Sequence, residues 1–232
     1  MAGGLRLYDE HHDRPCRGNR LTSLSGFFGG TFDPIHFGHL RTALELSNHL
    51  GLAEVRFMPC GCPPHGKTPV ASAAIRLDML RAAISGQPDF LVDERELNRT
   101  GPSYTVETLE SLRAESATRP IGLILGMDAF VDIGSWHRSE DILRLAHIIV
   151  ARRPGAQLPE SGHAGTLLAA NGVAECAELA AMPAGKVFVH TVTQLEISSS
   201  AIRAGAGAGQ SQRYLVPDAV ATLIETTGCY AL

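Results

Sequence analysis

Two aliphatic runs, Ile121 to Leu125 and Ile148 to Val150, contain no polar alternation. A strand with one face in water alternates apolar and polar residues, so an unbroken run describes a strand covered on both faces. Such strands belong to parallel sheets whose crossovers are helices. The remaining pattern agrees. Leu24 to Phe28, Val55 to Pro59, Phe90 to Asp93 and Val187 to Val192 read as further strands. Helical patterns at Leu40 to Leu50, Ala73 to Ile84, Val106 to Leu112 and Glu140 to Leu145 lie between them, and a last helix runs from Pro217 to Thr226. This cadence predicts an α/β fold, an open parallel sheet with helices on both faces.

The 232 residues, 44% of them apolar, suffice for one such domain, expected over residues 24–232 after an N-terminal tail of residues 1–23 that reads as disordered. The Asp-Glu-His-His-Asp run in that tail is assigned no function. Residues 155–185 turn Ala-, Gly- and Glu-rich and read as a surface insertion with a helix from Ala164 to Ala181. The AGAGAG tract, Ala204 to Gly209, reads as a mobile turn.

A net charge of −4 without a basic run argues against nucleic-acid and membrane binding and for a small-molecule partner. No stretch is long and apolar enough to span a bilayer, and the N-terminus lacks the apolar core of a secretory signal. Five cysteines, an odd number with no CxxC pair, fit a reducing cytoplasm better than a disulfide framework.

The segment GGTFDPIHFGH, Gly29 to His39, runs from the first strand into the first helix. Two glycines there let a polyphosphate approach the backbone, and the free N–H groups at the helix start favour an anion. His36 and His39, three apart, can both face one phosphate and stabilise charge during transfer of a nucleotidyl group, with no protein nucleophile. The pair has no HExxH pattern and no Cys or carboxylate at ligand spacing, which disfavours protein-bound zinc.

In an open parallel sheet, ligands bind where loops leave the carboxyl ends of strands. Three further clusters sit at such places. CPPHGK, Cys62 to Lys67, offers His65 and Lys67 to an anion. In GMDAF, Asp128 either accepts from ribose hydroxyls or caps the next helix. ISSSAIR, Ile197 to Arg203, suits a triphosphate tail or holds a serine N-cap beside a surface arginine. Trp136, in a polar loop after a central strand, offers a face to a flat cationic ring, and Tyr104 and Thr105 form a further signal in GPSYTVETL.

Taken in order, GGTFDPIHFGH, CPPH, GPSYTVETL, LILGMDAF with SWH, HIIVARRPG and ISSSAIR resemble the blocks of the bacterial nicotinate-nucleotide adenylyltransferases, in the HxGH nucleotidyltransferase superfamily. The likeness runs from Leu24 to the C-terminus. It implies a Rossmann-like sheet with a small C-terminal helical part, and a cytoplasmic enzyme that moves AMP from ATP to nicotinate mononucleotide with Mg²⁺ bound through the ATP phosphates and no protein side chain as metal ligand. By the same resemblance His36 and His39 are catalytic, and Gly29, Gly30, Thr31, Phe32, Asp128, Ser198, Ser199 and Arg203 bind ATP. Tyr104, Thr105, Trp136 and Arg153 take nicotinate mononucleotide, with His65 and Lys67 as further candidates. Gly66 separates His65 from Lys67 where many relatives place a basic residue directly after the histidine. Two alternatives stand beside this reading: a nucleotide-binding regulatory protein without catalysis, and an enzyme preferring nicotinamide mononucleotide.

Overall fold

The computed structural model describes residues 23–64, 68–193 and 195–231. The N-terminal tail and the candidates His65 and Lys67 lie outside the described residues.

The sheet comprises β1 (Ser25–Gly30), β2 (Glu54–Pro59), β3 (Phe90–Val92), β4 (Ile121–Gly126), β5 (His147–Arg152), β6 (Gly172–Val173) and β7 (Val187–Thr191). All pairings are parallel, in the order β3-β2-β1-β4-β5-β7-β6. The chain builds outward from β1 to β3, then returns to β1's other side with β4. That reversal leaves a crevice above the carboxyl ends of β1 and β4, the place where open α/β sheets bind ligands.

The unbroken aliphatic runs are explained by two apolar clusters, one on each face. Successive residues of a strand point to opposite faces. Ile124 and Ile149 enter one cluster, with Leu46 and Leu50 of α1 (Phe37–Leu50), Met79 and Leu80 of α2 (Ala73–Ile84), and Val220 and Ile224 near the C-terminus. Leu123, Leu125, Ile148 and Val150 enter the other, with Val106 and Leu109 of α3 (Thr105–Glu115), Phe130 of α4 (Met127–Val131) and Ile142 of α5 (Ser139–Leu145). Every residue of Ile121 to Leu125 and of Ile148 to Val150 is buried, so neither run alternates with polar residues.

Two expectations need correction. Residues 155–185 are built into the sheet. They supply α6 (Gly162–Asn171), which buries Ala164 and Leu168, then the edge strand β6, paired with β7, and a short α7 (Ala177–Ala180). The single helix expected from Ala164 to Ala181 is therefore two, divided where Gly172 and Val173 take extended geometry to pair with Val187 and Phe188. The Gly-Ala tract is helical through Gly207, since α8 spans Ser199–Gly207, and only Ala208 and Gly209 form the expected turn. Each glycine costs a helix about 1 kcal/mol relative to alanine. Here the fully buried Ile202 and the Ser198 cap, which accepts from the Ala201 N–H at 3.2 Å, outweigh that cost. Gly205 has a packing reason too, because a Cβ there would lie 2.9 Å from Nε2 of the buried Gln212. The last helix, α9, runs from Asp218 to Thr227 and ends at Gly228 in the left-handed conformation.

Candidate active site

β1 extends through Gly29 and Gly30, and the chain turns through Thr31 to Ile35 before α1 begins. Asp33 anchors that turn. Only 4% exposed, its carboxylate accepts from the backbone N–H groups of Val70 (2.7 Å) and Ala71 (3.1 Å) and from the Tyr230 hydroxyl (2.7 Å). From α8, Arg203 donates to the Asp33 carbonyl at 2.7 Å and lies 3.8 Å from its carboxylate. Arg76, fully buried on α2, donates to the Thr31 carbonyl at 2.7 Å. Sequence reasoning assigned no role to Asp33, Arg76 or Tyr230. Arg76 carried a legible signal: it stands three and four residues before Met79 and Leu80, on the core-facing stripe of its helix. Phe32, expected to touch nucleotide, instead buries its ring beneath the turn against Phe28, Phe57 and His39, which leaves only its backbone for a ligand.

His36 is the N-cap of α1, and its Nδ1 accepts the Gly38 N–H at 3.1 Å. That bond needs a bare Nδ1, so the neutral ring carries its proton on Nε2 as a donor. The His39 ring stacks on it, with centroids 3.8 Å apart. Burial lowers His36 to a pKa of about 4, and burial together with the neighbouring His36 lowers His39 to about 3. Both rings are therefore neutral hydrogen-bond donors at neutral pH.

A stability consequence follows. With both pKa values depressed below the ordinary 6.5, the unfolded chain binds more protons than the folded one as pH falls. The stabilisation is fully present above pH 6.5 and is lost down to about 4 for His36 and 3 for His39, at about 1.4 kcal/mol per unit of depression. Burial also lowers His147, which adds to the loss, whereas burial raises the Glu96 carboxyl and opposes it. Urea midpoints measured from pH 7 to 5 should fall for the native chain and fall distinctly less for His36→Gln/His39→Gln. Parallel slopes would show that the pair is not held neutral.

Beside the turn, at the crevice between β1 and β4, lies a cavity of about 540 Å³. Gly29, Gly30 and Thr31 line it together with Tyr104, Thr105 and Trp136, so the structure joins residues expected on opposite substrates. A Cβ on Gly29 would meet nothing nearer than Met58 at 4.0 Å. Protein packing does not require glycine there; a ligand lying against the backbone would. Cavity residues that sequence reasoning missed include Cys60, Pro63, Glu96, Ser103 and His137, whose ring packs on Tyr104 at 4.3 Å. Pro63, Ser103 and His137 stand inside the quoted CPPH, GPSYTVETL and SWH blocks without having been given a role, whereas Cys60 and Glu96 stand outside every block. They meet because β2 and β4 flank β1 and β3 lies beside β2.

The remaining candidates lie outside that lining. Asp128 is in the first turn of α4 with its side chain 93% exposed, makes no capping bond, and stands 3.9 Å from Arg153 of the loop after β5. The two were expected on different substrates and are neighbours here. Ser198 caps α8, and Ser199 donates to the Pro34 carbonyl at 3.0 Å. These bonds and the Arg203 contact hold the start of α8 against the start of α1, where the Ile197 carbonyl lies 3.7 Å from the position of a Gly38 Cβ. Two helix N-termini thus stand side by side near the histidines. The first N–H groups of α1 are already engaged, Phe37 by the Leu215 carbonyl, Gly38 by His36 Nδ1 and His39 by the His36 carbonyl. The free donors expected there are therefore not found, and what α1 offers an anion is the positive end of its dipole.

Comparison with known proteins identifies the family. The cytidylyltransferase-like family model matches residues 27–205. A Hahella chejuensis protein named probable nicotinate-nucleotide adenylyltransferase is 50% identical over 83% of this chain and 89% of its own. One of the same name from Methylococcus capsulatus is 44% identical over 89% of this chain and 99% of its own. The chain belongs to the nicotinate-nucleotide adenylyltransferase family. A solved member, Plasmodium falciparum nicotinic acid mononucleotide adenylyltransferase complexed with NaAD, shares the fold with a TM-score of 0.69 over 89% of this chain and 97% of that one, at 19% identity. In this nicotinate-nucleotide adenylyltransferase family member the glycine pair lines the cavity at the switch between β1 and β4, and the histidine pair, outside that lining, opens the helix that follows the same turn. The cavity's loops come from β1, β2 and β4 and from the segment before α3.

Proposed function

We propose that this chain transfers AMP from ATP to nicotinate mononucleotide, giving nicotinate adenine dinucleotide and pyrophosphate, as a step of NAD biosynthesis. The observation that carries the reading is the shared cavity, in which the exposed backbone of Gly29 to Thr31 meets the rings of Tyr104 and Trp136.

The 5′-phosphate oxygen of the mononucleotide attacks the α-phosphorus of ATP. A new P–O bond forms, the bond to the β-phosphate breaks, and the electron pair leaves with pyrophosphate. The attacking group is already an anion, so alignment and charge stabilisation are needed and a general base is not. His36 and His39 supply neutral N–H donors to the phosphates. Gly29, Gly30 and Thr31 hold the nucleotide backbone-first, and Asp128 takes the ribose. Ser198, Ser199 and Arg203, at the start of α8, face the phosphate tail. Tyr104, Thr105 and Trp136 enclose the pyridine ring, and Arg153 offers its charge to the acceptor.

Mg²⁺ supplies charge neutralisation on the ATP phosphates when bound. It takes oxygen ligands, while the turn presents imidazole nitrogens and amide groups, and the one buried carboxylate there, Asp33, is already engaged by Val70, Ala71 and Tyr230. Among the described residues there is no cluster of three or more metal-ligating side chains. The donor set therefore fits an ion held through phosphate oxygens. Among the described residues no helix is long and apolar enough to cross a membrane. Cys60, Cys62 and Cys229 are free thiols but Cys176 is disulfide-bonded, against the expectation of a chain without disulfides, so the cytoplasm that we propose as the compartment rests on the family and not on the cysteines.

Side-by-side kcat/KM values for nicotinate and nicotinamide mononucleotide test the acceptor. The acid should be preferred by at least about tenfold, the scale on which one polar contact discriminates. A preference for the amide would reassign the substrate.

A further inference from the structure

The acceptor cavity has two walls that come from different parts of the chain. Cys60, Pro63 and Pro64 follow β2, and Tyr104 and Thr105 begin α3. We infer that Ser103 is the positioning residue that sets the gap between these walls, by tying the loop after β2 to the loop before α3. The inference rests on the proposal that this cavity takes the pyridine mononucleotide.

Ser103 is 6% exposed, and its Oγ accepts the N–H of Gly61 at 3.1 Å and of Cys62 at 3.2 Å. Its own N–H donates to the Cys62 carbonyl at 2.8 Å. Both hydroxyl lone pairs are then occupied. Glu96, 7% exposed, accepts from the Thr108 hydroxyl at 2.8 Å, and Thr108 is fully buried on α3. The first loop is thereby fastened through Ser103 to the chain that enters α3. A second contact keeps the fit close: a Cβ on Gly61 would lie 2.4 Å from the Glu96 carbonyl oxygen. Tyr104 is the next residue along, so any slack at Ser103 passes directly to a cavity-lining ring. The ATP side is fastened separately, through Asp33, Arg76 and Arg203.

Ser103→Ala removes the acceptor of two amide groups but keeps the Ser103 N–H bond to Cys62. Two measurements on the full chain read the effect. The KM for nicotinate mononucleotide should rise about tenfold while the KM for ATP moves less than about twofold, as expected for two lost hydrogen bonds confined to one side of the site. Trp136, the only tryptophan, lines the cavity, so its fluorescence titrated with nicotinate mononucleotide alone should show the same rise in Kd. Ser103→Thr, which keeps the oxygen, should return both constants to within about threefold of the native values. If the alanine variant does not fold, Ser103→Cys, similar in size but a weak acceptor, should still separate the two KM values. Unchanged constants, or equal shifts for ATP and the mononucleotide, would overturn the role of Ser103. A native chain that forms no dinucleotide from nicotinate mononucleotide would instead overturn the acceptor proposal, and the two failures are thus distinct.

Discussion

His39→Ala should lower kcat by about 10²–10³ with KM for ATP changed far less, because a donor aimed at developing charge acts mainly in the transition state. His39 is the cleaner of the two positions. Its ring packs on His36 and on Phe32, and it caps no helix. His36→Ala should lose activity on the same scale and in addition lose the α1 cap, worth about 1 kcal/mol of stability. The double variant should be little worse than either single one, since two stacked donors on one phosphate act as a unit. The rings are held neutral, so activity should persist well above pH 6.5 instead of falling as imidazolium is lost. Near-native turnover in His39→Ala, measured by pyrophosphate release at saturating substrates, would remove the pair from the mechanism.

Asp33→Ala should cost about 3–5 kcal/mol of folding stability, the scale for removing one partner of a buried, charged hydrogen-bond network. The carboxylate holds two backbone amides and a tyrosine hydroxyl and lies beside Arg203, and no water reaches a residue 4% exposed to replace it. Asp33→Asn keeps an oxygen but offers an amide N–H₂ where one donor now points, and should lose a smaller amount. Tyr230→Phe, which removes a single bond, should cost about 1–2 kcal/mol. Urea unfolding followed by circular dichroism ranks the three. An Asp33→Ala chain within about 1 kcal/mol of native would show that the turn is held by other means.

The fold was legible where a physical pattern forced it. Strands β4 and β5 lie under helices on both faces, and their sequences say so without a break. Helix α2 runs over the expected residues, Ala73 to Ile84, and the structure adds Ser72 as its cap, accepting the Ile75 N–H at 3.3 Å. Legibility failed where tertiary contacts outvote local preference. In Ala204 to Gly207 the alanines favour a helix and the glycines oppose it, and the balance is tipped by Ile202, which packs into the core, while Gln212 occupies the space that a side chain at Gly205 would need. The two-residue β6 has no period to read at all. At the site, the glycine-histidine motif and the Tyr104 and Trp136 rings were visible as residue types that a phosphate and a flat ring require. The bonds that hold them were not. Asp33, Arg76, Ser103 and Tyr230 act through bonds to residues far along the chain, up to 197 positions away. Such partners are chosen by sheet order and leave no spacing in the sequence.

The central claim is that the cavity between β1 and β4 joins two nucleotides by AMP transfer. Incubating the full chain with ATP, Mg²⁺ and nicotinate mononucleotide, and quantifying both products by chromatography, tests it most directly. Equal amounts of pyrophosphate and nicotinate adenine dinucleotide, formed at a rate that His39→Ala lowers by at least about a hundredfold, are the expected result. ATP binding with no pyrophosphate from either pyridine mononucleotide would contradict it.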